Sequence, residues 1–180
     1  MSQRTGFTVE FSVPSSESRV SSLIPELGTA TPKLETLAGT TFSVGPAVWM
    51  AGSLNQAGKW PKAIDIPIGD RKASELRFLW ATTNVTEADA VVARVKVTYA
   101  DGTSVEQPIT YGGAIFAFED LRGGGQVVTA WRGKTATGRD AGARMWTWTN
   151  PHQDKAIATV RVSSEATEAA PVLMGLTGVS

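Results

Sequence analysis

The sequence has no cysteine and only 1 histidine. The first absence excludes disulfides, thiolate nucleophiles and cysteine-ligated metal. The second leaves no pair of imidazoles for a histidine-based metal site, and any serine nucleophile has a single candidate base, His152. Neither sign of charge is in surplus, since 17 lysines and arginines stand against 17 aspartates and glutamates. A protein that grips a phosphate backbone normally carries a basic excess, so nucleic acid is not an expected partner. Like charges do not gather into an interaction tail. No apolar run approaches the length of a membrane-spanning helix, and the start, Met-Ser-Gln-Arg-Thr-Gly, lacks the apolar stretch of a signal peptide. A membrane is therefore not an expected partner, and an exported parent would make this chain a mature piece or an excised module. Equally scarce is the 3.6-residue apolar period of an amphipathic helix.

What the sequence has instead is period-two alternation, the signature of half-buried strands. Phe7, Val9, Phe11 and Val13 alternate with polar residues until Pro14 ends the run. Residues 15–40, rich in Ser, Thr and Pro, read as a long surface connection with at most one short strand. Short strands follow at 41–44 and 47–51, then a loop over 52–59 delivers Trp60-Pro61. Residues 62–68 alternate and close at Gly69-Asp70, and 75–82 are apolar on both faces, which suggests a central strand. Val91 to Tyr99 and Ser104 to Thr110 flank Asp101-Gly102, a strong hairpin signal. A short apolar strand is expected at 114–118, a glycine-rich loop at 119–126, a strand at 127–131 and a polar loop at 132–142. Residues 171–177 read as a buried terminal strand. About ten to twelve short strands separated by turn signals predict an all-β fold, an antiparallel jelly-roll β-sandwich. At 180 residues this is one domain, in which 1–40 supply the first strand and its connection and 41–180 the main sandwich.

The stretch from Arg144 to Val162 carries two tryptophans, the histidine and a sharp Asn150-Pro151 break. Alternation places Arg144, Trp146 and Trp148 on one face, and a charged neighbour there argues for partial exposure of that face. An exposed indole can stack on the C–H face of a sugar ring while Arg144, Asn150 and His152 reach its hydroxyls. Trp60, before a proline at a loop–strand junction, is a further candidate for exposure. The plainer alternative is that Trp146 and Trp148 form a core wall, as Trp80 does on its apolar strand face. His152 is expected to fasten the turn by ring hydrogen bonds, with Asp154-Lys155 as a salt-bridged turn. Beyond the turn, Ile157, Thr159 and Arg161 should share one face, and Ala158, Val160 and Val162 the other.

Read in order, Trp60-Pro-Lys-Ala-Ile-Asp-Ile-Pro-Ile-Gly69, Leu76-Arg-Phe-Leu79, Val97-Thr-Tyr-Ala-Asp-Gly102, Tyr111-Gly112, Ala130-Trp131 and Trp148-Thr-Asn-Pro-His-Gln-Asp-Lys-Ala-Ile157 form a pattern. From about residue 40 onward the chain resembles β-sandwich modules of the galactose-binding-like type that accompany bacterial polysaccharide-degrading enzymes. The most specific piece is Asn150-Pro151-His152 followed by Asp154-Lys155-x-Ile157. Two positions depart from the pattern: Trp80 stands where a histidine is expected, and Ala114-Ile115 where Asn-Ile is expected. The resemblance implies a bacterial, extracellular or periplasmic, non-catalytic module that binds a polysaccharide or oligosaccharide and works beside an attached catalytic domain. It transfers no binding residues.

Catalysis by glycosidase chemistry needs two carboxylates facing across a cleft. Glu119-Asp120 are adjacent and would point apart in an extended chain. Arg132-Gly-Lys-Thr135 imitates the end of a phosphate loop, but the earlier glycine is Val128, so the match fails. No cofactor is expected; a structural calcium ion remains open, although no Asp-rich ligand loop is present. The leading expectation is a carbohydrate-binding module that is not an enzyme. The runner-up is a structural or protein-interaction sandwich without sugar binding, and behind it a glycoside hydrolase or polysaccharide lyase.

Overall fold

The computed structural model describes residues 6–10, 33–45, 47–54, 60–122 and 126–180. The second half of the expected first strand, most of the 15–40 connection, the loop at 55–59 and Gly123-Gly124-Gly125 lie outside the described residues. The strands are β1 Gly6–Val9, β2 Lys33–Leu37, β3 Thr40–Val44, β4 Val48–Trp49, β5 Ala63–Arg71 and β6 Glu75–Thr82. They continue with β7 Val91–Tyr99, β8 Ser104–Thr110, β9 Val127–Lys134, β10 Asp140–Thr149, β11 Ile157–Ser164 and β12 Pro171–Val179. The fold is all-β with several antiparallel sheets, and no helix of the described residues is long and apolar enough to cross a membrane.

The larger sheet runs β1-β12-β6-β10-β9, with β4 also on β12; the second runs β5-β11-β7-β8, and β2 pairs β3. The space between the two main sheets holds Phe78, Trp80, Trp146, Trp148 and Leu176 against Ile66, Val95, Val97, Tyr99, Val160 and Val162. Trp80 and Trp146 stack there at 5.5 Å and 10°, with Phe78 at 4.8 Å from Trp80. On the far side of the larger sheet, Leu79, Ala81, Met145, Val172 and Met174 pack with Phe42 and Val44 of β3. Burial on both sides explains why β6 and β12 read as nearly continuous apolar runs. Gly175 makes the close approach possible, since a Cβ there would meet Phe42 Cδ1 at 2.9 Å.

The β7–β8 hairpin forms at Asp101-Gly102 as the sequence predicts, with Gly102 at φ 87°. Elsewhere local reading and fold differ. The strand expected to close at Gly69 continues as β5 to Arg71, through positive φ at Gly69 and Asp70. Opposite it the pairing of β11 shifts between Ile157 and Thr159. That irregularity inverts the alternation, so Ile157, Val160 and Val162 are all buried rather than split between faces. Residues 114–118 are not a strand but make isolated bridges, Thr82 to Ala117 and Tyr111 to Ile115. The expected loop at 132–142 is instead mostly ladder, with β9 and β10 paired from Lys134 and Asp140 inward.

Candidate functional site

The turn after β10 is held by its asparagine. Asn150 is 1% exposed, its Nδ2 donates to the Ala73 carbonyl at 2.7 Å, and its Oδ1 accepts from Tyr99 Oη at 2.6 Å. The same Oδ1 accepts from the His152 backbone N–H at 2.9 Å. Tyr99 belongs to the second sheet, so this side chain ties the two sheets together at one end. The role expected of the His152 ring is therefore filled by Asn150. The imidazole is exposed and lies edge-on to Tyr99, 5.5 Å between centroids. Asp154-Lys155 is not the ion pair of this turn, because Lys155 reaches Asp101 at 2.8 Å. That contact, with Thr103 donating as well, holds the Asp101 carboxyl well below the usual carboxylate range.

Arg144, Trp146 and Trp148 do share a face, but it is the inner one. Arg144 is 0% exposed, Trp146 5% and Trp148 6%, which corrects the expectation that a charged neighbour keeps this face partly open. The physical reason is that buried main chain and an aromatic ring partly satisfy the cation. Arg144 Nη2 donates to the Asp120 and Arg122 carbonyls, and the guanidinium lies 5.3 Å over the Phe116 ring. Among the described residues its Nε and Nη1 have no hydrogen-bond partner, and burial lowers its pKa from the usual guanidinium value. Alongside, Arg122 donates to Asp120 through Nε at 2.8 Å and Nη2 at 2.7 Å and holds that carboxyl down to about 2. Burial and the bond from Tyr111 Oη to Asp120 at 2.7 Å push the Tyr111 hydroxyl up to about 12. Glu119 turns instead to Arg139, 3.2 Å away, so these adjacent acids do not face each other as an acid–base pair.

Trp60 is half-buried and stacks on Trp49 at 5.8 Å and 26°, on the far side of the larger sheet. It is thus remote in the fold from the β10 face, and the six sequence candidates do not converge on one site. Trp146 and Trp148 do both line one opening. A cleft of about 340 Å³ runs where the free edge of β8 faces the end of β10. It is lined by Gln107, Pro108, Thr110, Gly113, Ala114 and Gln126 on its rim and by residues Trp146 to Thr149 along β10. None of these carries a charge, although 19% of the chain is charged. Trp80 gives its indole N–H to the Ala114 carbonyl at 2.9 Å, so the two departures from the family pattern meet beside this cleft.

Sequence reasoning missed Gln107, Gln126, Thr110, Thr147 and Thr149. They come from separate strands and the loop before β9, so no local motif joins them. No protein-family model, curated protein or solved structure matches the chain. The resemblance to galactose-binding-like modules accordingly rests on the residues quoted for it. Among the described residues no group of three or more His, Asp or Glu side chains is placed to hold a metal ion.

Proposed function

We propose that the chain is a non-catalytic carbohydrate-binding module of the galactose-binding-like jelly-roll type, exported and acting beside a polysaccharide-degrading enzyme. The observation that carries this reading is the edge cleft. Trp146 and Trp148 line it together with glutamine and threonine residues, and none of the lining residues is charged. Glutamine and threonine both donate and accept, as sugar hydroxyls do. A few such contacts support affinities on the order of micromolar to millimolar, enough to hold an attached enzyme near its polymer. Titration of the purified chain against a glycan panel tests this. Gln107→Ala and Gln126→Ala, both at exposed positions, should each weaken glycan binding severalfold while the melting temperature stays within about 2 °C. Unchanged affinity in both variants would remove the cleft from the reading.

A second reading is a protein-interaction sandwich, favoured by Leu34. This side chain is 69% exposed on β2, at the rim of a groove of about 440 Å³ that also includes Phe7 and Arg77. A mobility shift on mixing with a catalytic partner domain, abolished by Leu34→Asp, is the outcome that would favour it.

A further inference from the structure

The far side of the larger sheet carries a second opening. Trp131 of β9 lies opposite Ala143 of β10, and Ala143 packs with Phe42 and Val44 of β3. Cross-strand partners share a face, so Trp131 is on the side of the sheet that bears the β2–β3 hairpin. Trp146 and Trp148 are on the other side, between the two main sheets. A groove of about 650 Å³ is lined by Trp131 and by Lys33, Glu35, Thr36 and Leu37 of β2. Trp131 is half-buried and Thr36 exposed. Alternation shows an anomaly in this wall. Glu35 pairs with Phe42 and Lys33 with Val44, so an acid and a base share a hairpin face with two fully buried apolar side chains. Their side chains nevertheless keep 26% and 54% of their surface exposed, and they meet at 2.7 Å between Lys33 Nζ and Glu35 Oε1. Charge at positions where a packing strand calls for apolar residues marks a place with work other than packing.

We propose that this groove is a second carbohydrate site, for a neutral sugar with vicinal hydroxyls. The proposal rests on the carbohydrate reading above and adds to it a surface on the opposite side of the larger sheet. A carboxylate only accepts hydrogen bonds and an ammonium only donates them. Held 2.7 Å apart, the two match neighbouring hydroxyls, one donating to Glu35 and the other accepting from Lys33. Both bonds are charge-assisted, and the Trp131 indole supplies apolar surface for ring C–H groups. The pair is neutral as a whole, so a uronate or sulfate drawn to Lys33 also meets the like charge of Glu35. The competing role for inward charges on a hairpin strand is to deter pairing between copies of the chain. That role has no use for a tryptophan on the facing wall. Two sites on opposite sides of one sheet let a single module hold two stretches of polymer, which raises avidity without stronger contacts.

The test is calorimetric titration of the whole chain with neutral oligosaccharides and with their uronate counterparts. Two neutral glycans should bind per chain. Glu35→Gln, which keeps the shape of the side chain, should weaken one of the two sites about tenfold, the worth of one charge-assisted hydrogen bond. Because the ion pair is largely exposed, the melting temperature should stay within about 2 °C. Independently of Glu35, the indole N–H resonance that disappears in Trp131→Phe identifies Trp131 among the 6 tryptophans, and in the parent it should shift as glycan is added. One glycan per chain, insensitive to Glu35→Gln and with the Trp131 resonance unmoved, overturns the second site and leaves the cleft standing. Self-association of Glu35→Gln with unchanged glycan binding overturns it in favour of edge protection. Preference for the uronate probes overturns the ligand class. Binding weakened by Glu35→Gln but not by Gln107→Ala or Gln126→Ala upholds the groove and removes the cleft. Failure of every glycan to bind removes both the inference and the reading beneath it.

Discussion

Replacing Asn150 by alanine separates a binding role from a structural one. The change removes three hydrogen bonds in a region where Asn150 and Tyr99 are each 1% exposed. The Tyr99 hydroxyl is left as a buried donor without an acceptor, and the Ala73 carbonyl loses its donor. Stranding a buried polar group costs about 1–3 kcal/mol, so the two together imply a loss of about 3–5 kcal/mol. The His152 N–H, in an exposed turn, can turn to water and adds little. For a chain of 180 residues that loss corresponds to a fall in melting temperature of about 10 °C or more. Urea unfolding followed by tryptophan fluorescence measures it directly. Tyr99→Phe removes only one of the bonds and should cost about 1–2 kcal/mol, and the double variant should show coupling above about 0.5 kcal/mol. A stability loss below about 1 kcal/mol in Asn150→Ala, combined with a large loss of glycan affinity, would refute the clamp and return Asn150 to the binding residues.

Two further perturbations probe the cluster around Arg144 and Asp120. Arg144→Ala strands the Asp120 and Arg122 carbonyls and opens a void, so a loss of about 3 kcal/mol or more is expected in urea unfolding. Arg144→Met fills the void and removes the two unpaired nitrogens with the charge, and should cost distinctly less; equal losses would contradict this account. Asp120 is depressed in the folded state to about 2, so its contribution is complete above the unfolded carboxylate range and fades as pH falls toward 2. The parent should therefore lose up to about 2 kcal/mol more than Asp120→Asn between pH 6 and pH 2.5, less whatever solvent screens at the exposed Arg122. Parallel stability curves for the two proteins would contradict it.

Period-two alternation and a strong turn dipeptide act over a few residues, which is why the all-β character, the β7–β8 hairpin and the central place of β6 were legible from the chain alone. Alternation also placed Arg144, Trp146 and Trp148 together on one face. It could not say which face was inward, because a charge on a strand signals exposure only when nothing buried accepts its hydrogen bonds. The Asp120 and Arg122 carbonyls, brought in from about twenty residues away, reverse that signal. The parity of β11 was likewise decided by an irregularity in its pairing with β5 and β7, a property of three strands together. The cleft was the least legible feature of all. Its lining joins β8, at the edge of one sheet, to the end of β10 in the other, so it is set by where strands meet in space rather than by any run of residues.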